Sequence, residues 1–101
     1  MAIKIEREQK IEGLKKLLQP VLTRHQVLRA GIFGSVARGT SIESSDVDLL
    51  VEFQGEKNLL DLVALKLDLE SVVNREIDVV TYNSLSPLIR KNVLAQEVRV
   101  L

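Results

Sequence analysis

The chain has no cysteine and no tryptophan, and only one histidine, two prolines and three aromatic residues in its 101 positions. Without thiols there is no disulfide, no cysteine nucleophile and no zinc–thiolate centre. With His25 as the sole imidazole, neither a His-rich metal site nor a Ser–His–Asp triad is convincing. Phe33, Phe53 and Tyr82 are the only aromatics, so the core must be aliphatic, and an aromatic platform for stacked bases is not expected. There is no excess of either charge: 14 basic residues balance 14 acidic ones. A general grip on nucleic acid would show a basic excess, so direct nucleic-acid binding is not expected. No apolar run approaches the roughly 20 residues that span a bilayer. The first ten residues carry Lys4, Glu6, Arg7, Glu8 and Lys10 with no apolar stretch, which argues against a secretory signal. The expectation is a soluble cytoplasmic protein, a single domain over residues 1–101.

Within that frame the composition is ordinary for a globular domain, with 46% apolar and 28% charged residues. The charges are unevenly spread. Residues 1–40 hold eight basic residues against three acidic ones, whereas 41–80 hold three against ten. An acidic middle beside a basic beginning suits a divalent cation bound near an anionic ligand. It equally suits an unevenly charged surface.

Residues 5–19 read as an amphipathic helix, with Ile11, Leu14, Leu17 and Leu18 at helical spacing. Pro20 is expected to end it or to start the next turn, with Val21 and Leu22 continuing the apolar stripe. Val27 to Phe33 is rich in β-branched and apolar residues and reads as a buried strand. The stretch from Gly34 to Gly39 is a tight turn into a short helical segment, followed by a polar loop from Thr40 to Ser45. Asp46 to Phe53 is a second strand. Asn58 is placed to cap a helix from Leu59 to about Val73, with Leu62, Leu65, Leu69 and Val72 on one face and Asn74 left-handed at its end. Glu76 to Thr81 is a third strand. Ser86-Pro87 opens a last helix to about Ala95, with Leu88, Ile89 and Val93 inward, and Val98–Val100 is a short terminal strand. The fold class is α+β: a small mixed sheet with helices packed on it, sandwich-like.

Two carboxylates open the second strand. Asp46 and Asp48 lie at i and i+2 and point to one face, while Val47, Leu49 and Val51 point to the other, toward the core. Carboxylates held close repel, and a hard divalent cation such as Mg²⁺ relieves that repulsion. The plainer reading is a solvent-facing acidic pair, or Asp46 capping a turn after Ser45. Asp78 stands between Ile77 and Val79, where a charge is costly unless paired or liganded. If the second and third strands are neighbours, it can join Asp46 and Asp48. Otherwise it pairs with Arg75 or a helix lysine, or faces solvent.

Gly34-Ser35 supplies the other half of a site. A glycine leaving a strand and a hydroxyl at the following helix start offer N–H and O–H donors to a phosphate. Arg38 would add positive charge there, or else pair with an acid such as Glu43.

Gly34-Ser35, ten residues, then Asp46-x-Asp48 resembles the signature of the DNA polymerase β-type nucleotidyltransferases. The fuller strings Phe33-Gly34-Ser35-Val36-Ala37-Arg38-Gly39 and Ser45-Asp46-Val47-Asp48-Leu49-Leu50-Val51 are similar to the minimal nucleotidyltransferase (MNT) subfamily. The likeness extends to Arg75-Glu76-Ile77-Asp78-Val79-Val80, where that family places a third carboxylate. The resemblance implies catalytic and metal-binding roles for Asp46, Asp48 and Asp78, and nucleotide-binding roles for Gly34, Ser35 and Arg38. It implies Mg²⁺, as two ions about 3.5–4 Å apart, ATP as substrate, and transfer of AMP to a tyrosine hydroxyl. The implied partner is a small helical HEPN-type toxin, for which this chain would be the antitoxin.

On that resemblance, Asp46 and Asp48 bridge metals and triphosphate, and Asp78 helps deprotonate the acceptor. Gly34 and Ser35 fix the β- and γ-phosphates. The final helix, with Leu88, Ile89 and Leu94, is one candidate for the surface on which a partner docks. Two other readings stand beside transfer: an antitoxin that neutralises its partner by covering it, and a nucleotide-sensing module. His25 is expected at a helix end or on the surface, and Tyr82 in packing rather than as a self-modification site or beside the adenine.

Overall fold

The computed structural model describes residues 2–40 and 46–101, with side chains from residue 6 onward. In chain order the elements are α1 (Ala2–Arg24), β1 (Val27–Phe33), α2 (Gly34–Arg38), β2 (Val47–Phe53), α3 (Leu59–Val73) and β3 (Ile77–Thr81). A 3-10 turn at Tyr82–Ser84, α4 (Pro87–Gln96) and β4 (Val98–Arg99) complete it. The strands form one sheet in the order β3-β2-β1-β4. β1 runs antiparallel to β2 and β4, and β2 runs parallel to β3, so α3 is the crossover that the parallel pair requires.

Alternation along the strands divides the sheet into two faces. Val47, Leu49 and Val51 of β2, Ala30 and Ile32 of β1, and Ile77 of β3 pack with α1 and α3 in the main core. The opposite face carries a smaller cluster of Leu50, Tyr82 and Leu85, partly covered by Val93 of α4. Asp48 shares this thinly covered face with Leu50, two residues further along β2.

Helix α3 forms where its caps dictate. Asn58 accepts from the Asp61 N–H while Asp61 accepts from the Asn58 N–H, a complete capping box, and Asn74 ends the helix at φ +58°. Two expectations are corrected. Pro20 does not end the first helix, which continues to Arg24. The proline removes a backbone bond and costs about 3 kcal/mol, offset by the burial of Leu18, Val21 and Leu22 on both sides of it. Leu88 and Ile89 do not point inward: they are 91% and 50% exposed, and of the three expected residues only Val93 packs on the sheet. A smaller shift occurs on α3, where Val73 rather than Val72 packs on the core. Among the described residues no helix is long and apolar enough to cross a membrane.

Candidate active site

The chain leaves β1 at Phe33 and turns through Gly34 at φ +72° into α2, which closes at Gly39 with φ +78°. Phe33 is the register partner of Asp48 across the β1–β2 pair, so Gly34 lies against that carboxylate. A Cβ built on Gly34 would collide with Asp48 Oδ2. Glycine is required twice over at this position, for the left-handed φ and for the close approach.

Asp48 and Asp78 are direct Cα partners in the parallel β2–β3 pair. Asp46 precedes β2 and is exposed, and the Val47 N–H beside it donates to the Glu76 carbonyl at 2.9 Å. The three carboxylates act on one another. Partial burial pushes the Asp48 carboxyl above its ordinary range, with the charges of Asp78 and Asp46 and a hydrogen bond with Asp78 adding to it. Arg38 acts in the opposite sense and also reaches α4, where Nη1 donates to Gln96 Oε1 at 3.4 Å. Glu43, the alternative partner of Arg38, lies outside the described residues, as does most of the polar loop from Thr40 to Ser45.

The arrangement thus brings Gly34, Asp48 and Asp78 together and places Asp46 and Arg38 within electrostatic reach. Ser35 follows at the start of α2, half-buried. Among the described residues no three carboxylate or imidazole groups are arranged to hold a metal ion by themselves. The donor set still fits a hard cation: it is all oxygen, and partial burial, with the charges of Asp78 and Asp46 adding to it, disfavours ionisation of Asp48. Mg²⁺ is ordinarily held by one or two carboxylates together with substrate phosphates and water, and Asp46, Asp48 and Asp78 would be its protein ligands.

One contact on Asp78 was anticipated only as an alternative to a site role. Lys66 of α3 interacts electrostatically with it, while Lys66 Nζ itself donates to Glu70 Oε2 at 2.8 Å. Sequence reasoning missed the Lys66–Glu70 pair; its four-residue spacing, just ahead of the third strand, was the available signal. Tyr82 is buried, donates to Glu97 and carries Arg29 over its ring at 3.9 Å. Burial, with Glu97 adding to it, pushes its hydroxyl well above the ordinary range. A phenol held this firmly neutral packs, as expected, and is a poor nucleophile. His25 sits just past the end of α1, half-buried, with Nε2 2.6 Å from Asp68 Oδ2 of α3.

A cavity of about 700 Å³ lies at the other end of the sheet, lined by residues including Arg29, Phe53, Leu59, Tyr82 and Arg90 and by none of the three carboxylates. The clustered charges lie instead at the Gly34–Asp48 end.

Comparison with known proteins places the chain in a family. The family described as Polymerase beta, Nucleotidyltransferase matches residues 15–101. A Methanocaldococcus jannaschii protein, provisionally named a protein adenylyltransferase, is 50% identical over 91 residues, covering 90% of this chain and 98% of its own. Protein adenylyltransferase MntA of Thermococcus cleftensis is 36% identical over 82% of this chain and 92% of its own. A solved structure described as a minimal nucleotidyltransferase superposes with a TM-score of 0.77 at 37% identity, covering 89% of this chain and 92% of that one. The fold is also that of a chain in a complex between a tri-AMPylated Shewanella oneidensis HEPN toxin and its MNT antitoxin. There the TM-score is 0.70 at 17% identity, covering 89% of this chain and 71% of that one. The chain belongs to the polymerase β nucleotidyltransferase family, and within it to the minimal nucleotidyltransferases.

Proposed function

We propose that this chain transfers AMP from ATP, with Mg²⁺, to a tyrosine hydroxyl of a small helical HEPN-type toxin and thereby acts as its antitoxin. The observation that carries the reading is the junction of Gly34, Asp48 and Asp78: a turn that accepts no side chain, set against paired carboxylates on the open face of the sheet. The adenylyltransferase names of relatives at 50% and 36% identity support it.

In this reading the turn at Gly34 offers its backbone, and Ser35 its hydroxyl, to the β- and γ-phosphates, with the Arg38 charge nearby. Asp46, Asp48 and Asp78 hold the cation, which when bound supplies charge neutralisation of the triphosphate. Asp78 is exposed and stands on the edge strand, open to an acceptor from outside. It takes the acceptor's proton as the hydroxyl oxygen bonds to the α-phosphorus. The bond from that phosphorus to the bridging oxygen breaks, and pyrophosphate carries away the electron pair. No covalent intermediate on this chain is required.

A second reading has its own observation. Leu88 and Ile89 are exposed on α4, which suits an antitoxin that neutralises by covering its partner. One experiment separates the two. The purified chain is incubated with Mg²⁺–ATP and the HEPN-type protein, and an AMP mass increment on the latter is followed. Transfer that falls far more than nucleotide binding in Asp78→Asn is the expected result. Stoichiometric neutralisation by the parent with no AMP added would leave only the covering role.

A further inference from the structure

Ile77 opens β3, an edge strand of the sheet. An edge strand leaves outward N–H and C=O groups without a strand partner. At Ile77 one pair of side chains takes both. Its N–H donates to Glu70 Oε2 at 3.0 Å, and its C=O accepts from Lys66 Nζ at 2.7 Å. The same ammonium donates to the same Glu70 oxygen at 2.8 Å. Spaced one turn apart on α3, Lys66 and Glu70 present a donor and an acceptor to the strand much as a neighbouring strand would. The Ile77 side chain is fully buried in the core, and its Cα pairs with Val47. The first residue of β3 is therefore held through its side chain, its sheet register and both outward backbone groups. The next residue is Asp78. An ordinary i,i+4 pair ties down only its own helix; this one reaches across to the single residue that leads into the third carboxylate.

We propose that Lys66 and Glu70 are positioning residues for the transfer reaction, fixing through Ile77 the strand position from which Asp78 meets Asp48 and the acceptor. The proposal rests on Asp78 belonging to the site. The hydrogen bonds are charge-assisted, which suits a device that must hold geometry against fraying at an edge.

The test compares Lys66→Met, Lys66→Arg and Glu70→Ala with Asn58→Ala, which weakens α3 at its far end and leaves Ile77 untouched. In AMP transfer to the HEPN-type protein, Lys66→Met and Glu70→Ala are expected to lower kcat about tenfold, a larger effect than any on KM for Mg²⁺–ATP. Lys66→Arg should recover most of the rate. Asn58→Ala should lose thermal stability and keep its kcat. Rates that follow thermal stability across all four variants would overturn the proposal.

A second readout needs no transfer. Mn²⁺ binding to the chain with ATP present and the acceptor absent is followed by electron paramagnetic resonance. Removing a positive charge beside Asp78 would by itself tighten a cation, whereas loss of position loosens it. Binding weakened about threefold or more in Lys66→Met supports positioning; unchanged or tighter binding overturns it. A parent chain that transfers no AMP, with Mn²⁺ binding weakened in the variant, would sink the adenylyltransferase reading and leave Lys66 and Glu70 as positioning residues for the cation site alone.

Discussion

Gly34 and Asp48 approach so closely across the β1–β2 pair that a single methyl group on the glycine would occupy the space of the carboxylate. The turn that would receive phosphate and the acid that would receive the cation are thereby built as one unit.

Gly34→Ala should therefore damage fold and site together. The left-handed φ of +72° alone costs a side-chain-bearing residue about 1–2 kcal/mol, and the collision with Asp48 adds to that. The expected outcome is a lower urea midpoint and loss of Mg²⁺-dependent ATP affinity by calorimetry. Parental affinity in a folded Gly34→Ala would remove this turn from the nucleotide site.

Asp48→Asn should act oppositely on the two quantities. An acid raised above its ordinary range binds protons more readily folded than unfolded, so its contribution to stability falls as pH rises through that window. Without metal, the variant should be at least as stable as the parent at neutral pH, and the difference should vanish below about pH 3, under the ordinary aspartate value. With Mg²⁺–ATP, Asp46→Asn and Asp48→Asn should each lose affinity about tenfold or more, since charge neutralisation at such a site is worth several kcal/mol. Undiminished affinity in both would refute the metal assignment.

Much of this fold was legible in the sequence because local chemistry decided it. Asn58 with Asp61, Asn74, and the glycines at 34 and 39 each mark a boundary through a cap or a left-handed turn, and the structure puts them there. β1 runs from Val27 to Phe33 as its β-branched and apolar residues, ending at Gly34, implied. The misreadings share one cause, which is that tertiary packing outweighed a local rule. Pro20 is carried inside α1 because Val21 and Leu22 beyond it are buried. The apolar residues of α4 have helical spacing, but periodicity cannot say whether a stripe finds its partner within the chain, and Leu88 does not. For the site, the strand positions of Asp48 and Asp78 were readable, while their pairing depended on β2 and β3 being neighbours. The clamp on Ile77 required knowing that β3 lies at an edge.

Acid should expose that clamp in stability as well. Glu70 is held below the ordinary glutamate range by its hydrogen bond from Lys66, with the Ile77 N–H adding to it. A depressed acid stabilises the fold above its unfolded value, near pH 4.3, and that contribution is lost as pH falls through the folded one. The parent should therefore lose more stability than Glu70→Gln between neutral pH and about pH 3. Parallel acid titrations of the two by urea unfolding would contradict a role for the Glu70 charge.

Tyr82 makes a prediction about where AMP does not go. The hydroxyl is buried, donates to Glu97 and is held neutral, so self-modification at Tyr82 should be undetectable by peptide mass mapping. Tyr82→Phe should cost about 1 kcal/mol for the lost hydrogen bond, keep the stacking of Arg29 on the ring, and leave transfer to a partner intact. An AMP-bearing Tyr82 would show that this face opens far more than its packing implies.

The exposed face of α4 carries the last prediction. Leu88 and Ile89 are 91% and 50% exposed, so changing both to serine should alter stability by no more than roughly 1 kcal/mol. Their value lies outside the chain, if α4 is where the HEPN-type protein docks. Burying two such side chains at the centre of an interface is worth about 2 kcal/mol or more, or roughly a thirtyfold change in Kd. The C-terminal end of α4 reaches α2 through Gln96 and Arg38, whereas Leu88 and Ile89 lie in its first turn. The double variant should bind Mg²⁺–ATP like the parent and lose complex formation in calorimetry. Transfer should then be recoverable at high partner concentration, as a raised KM for the partner with kcat retained. Complex formation at parental affinity would place the docking surface elsewhere on the molecule.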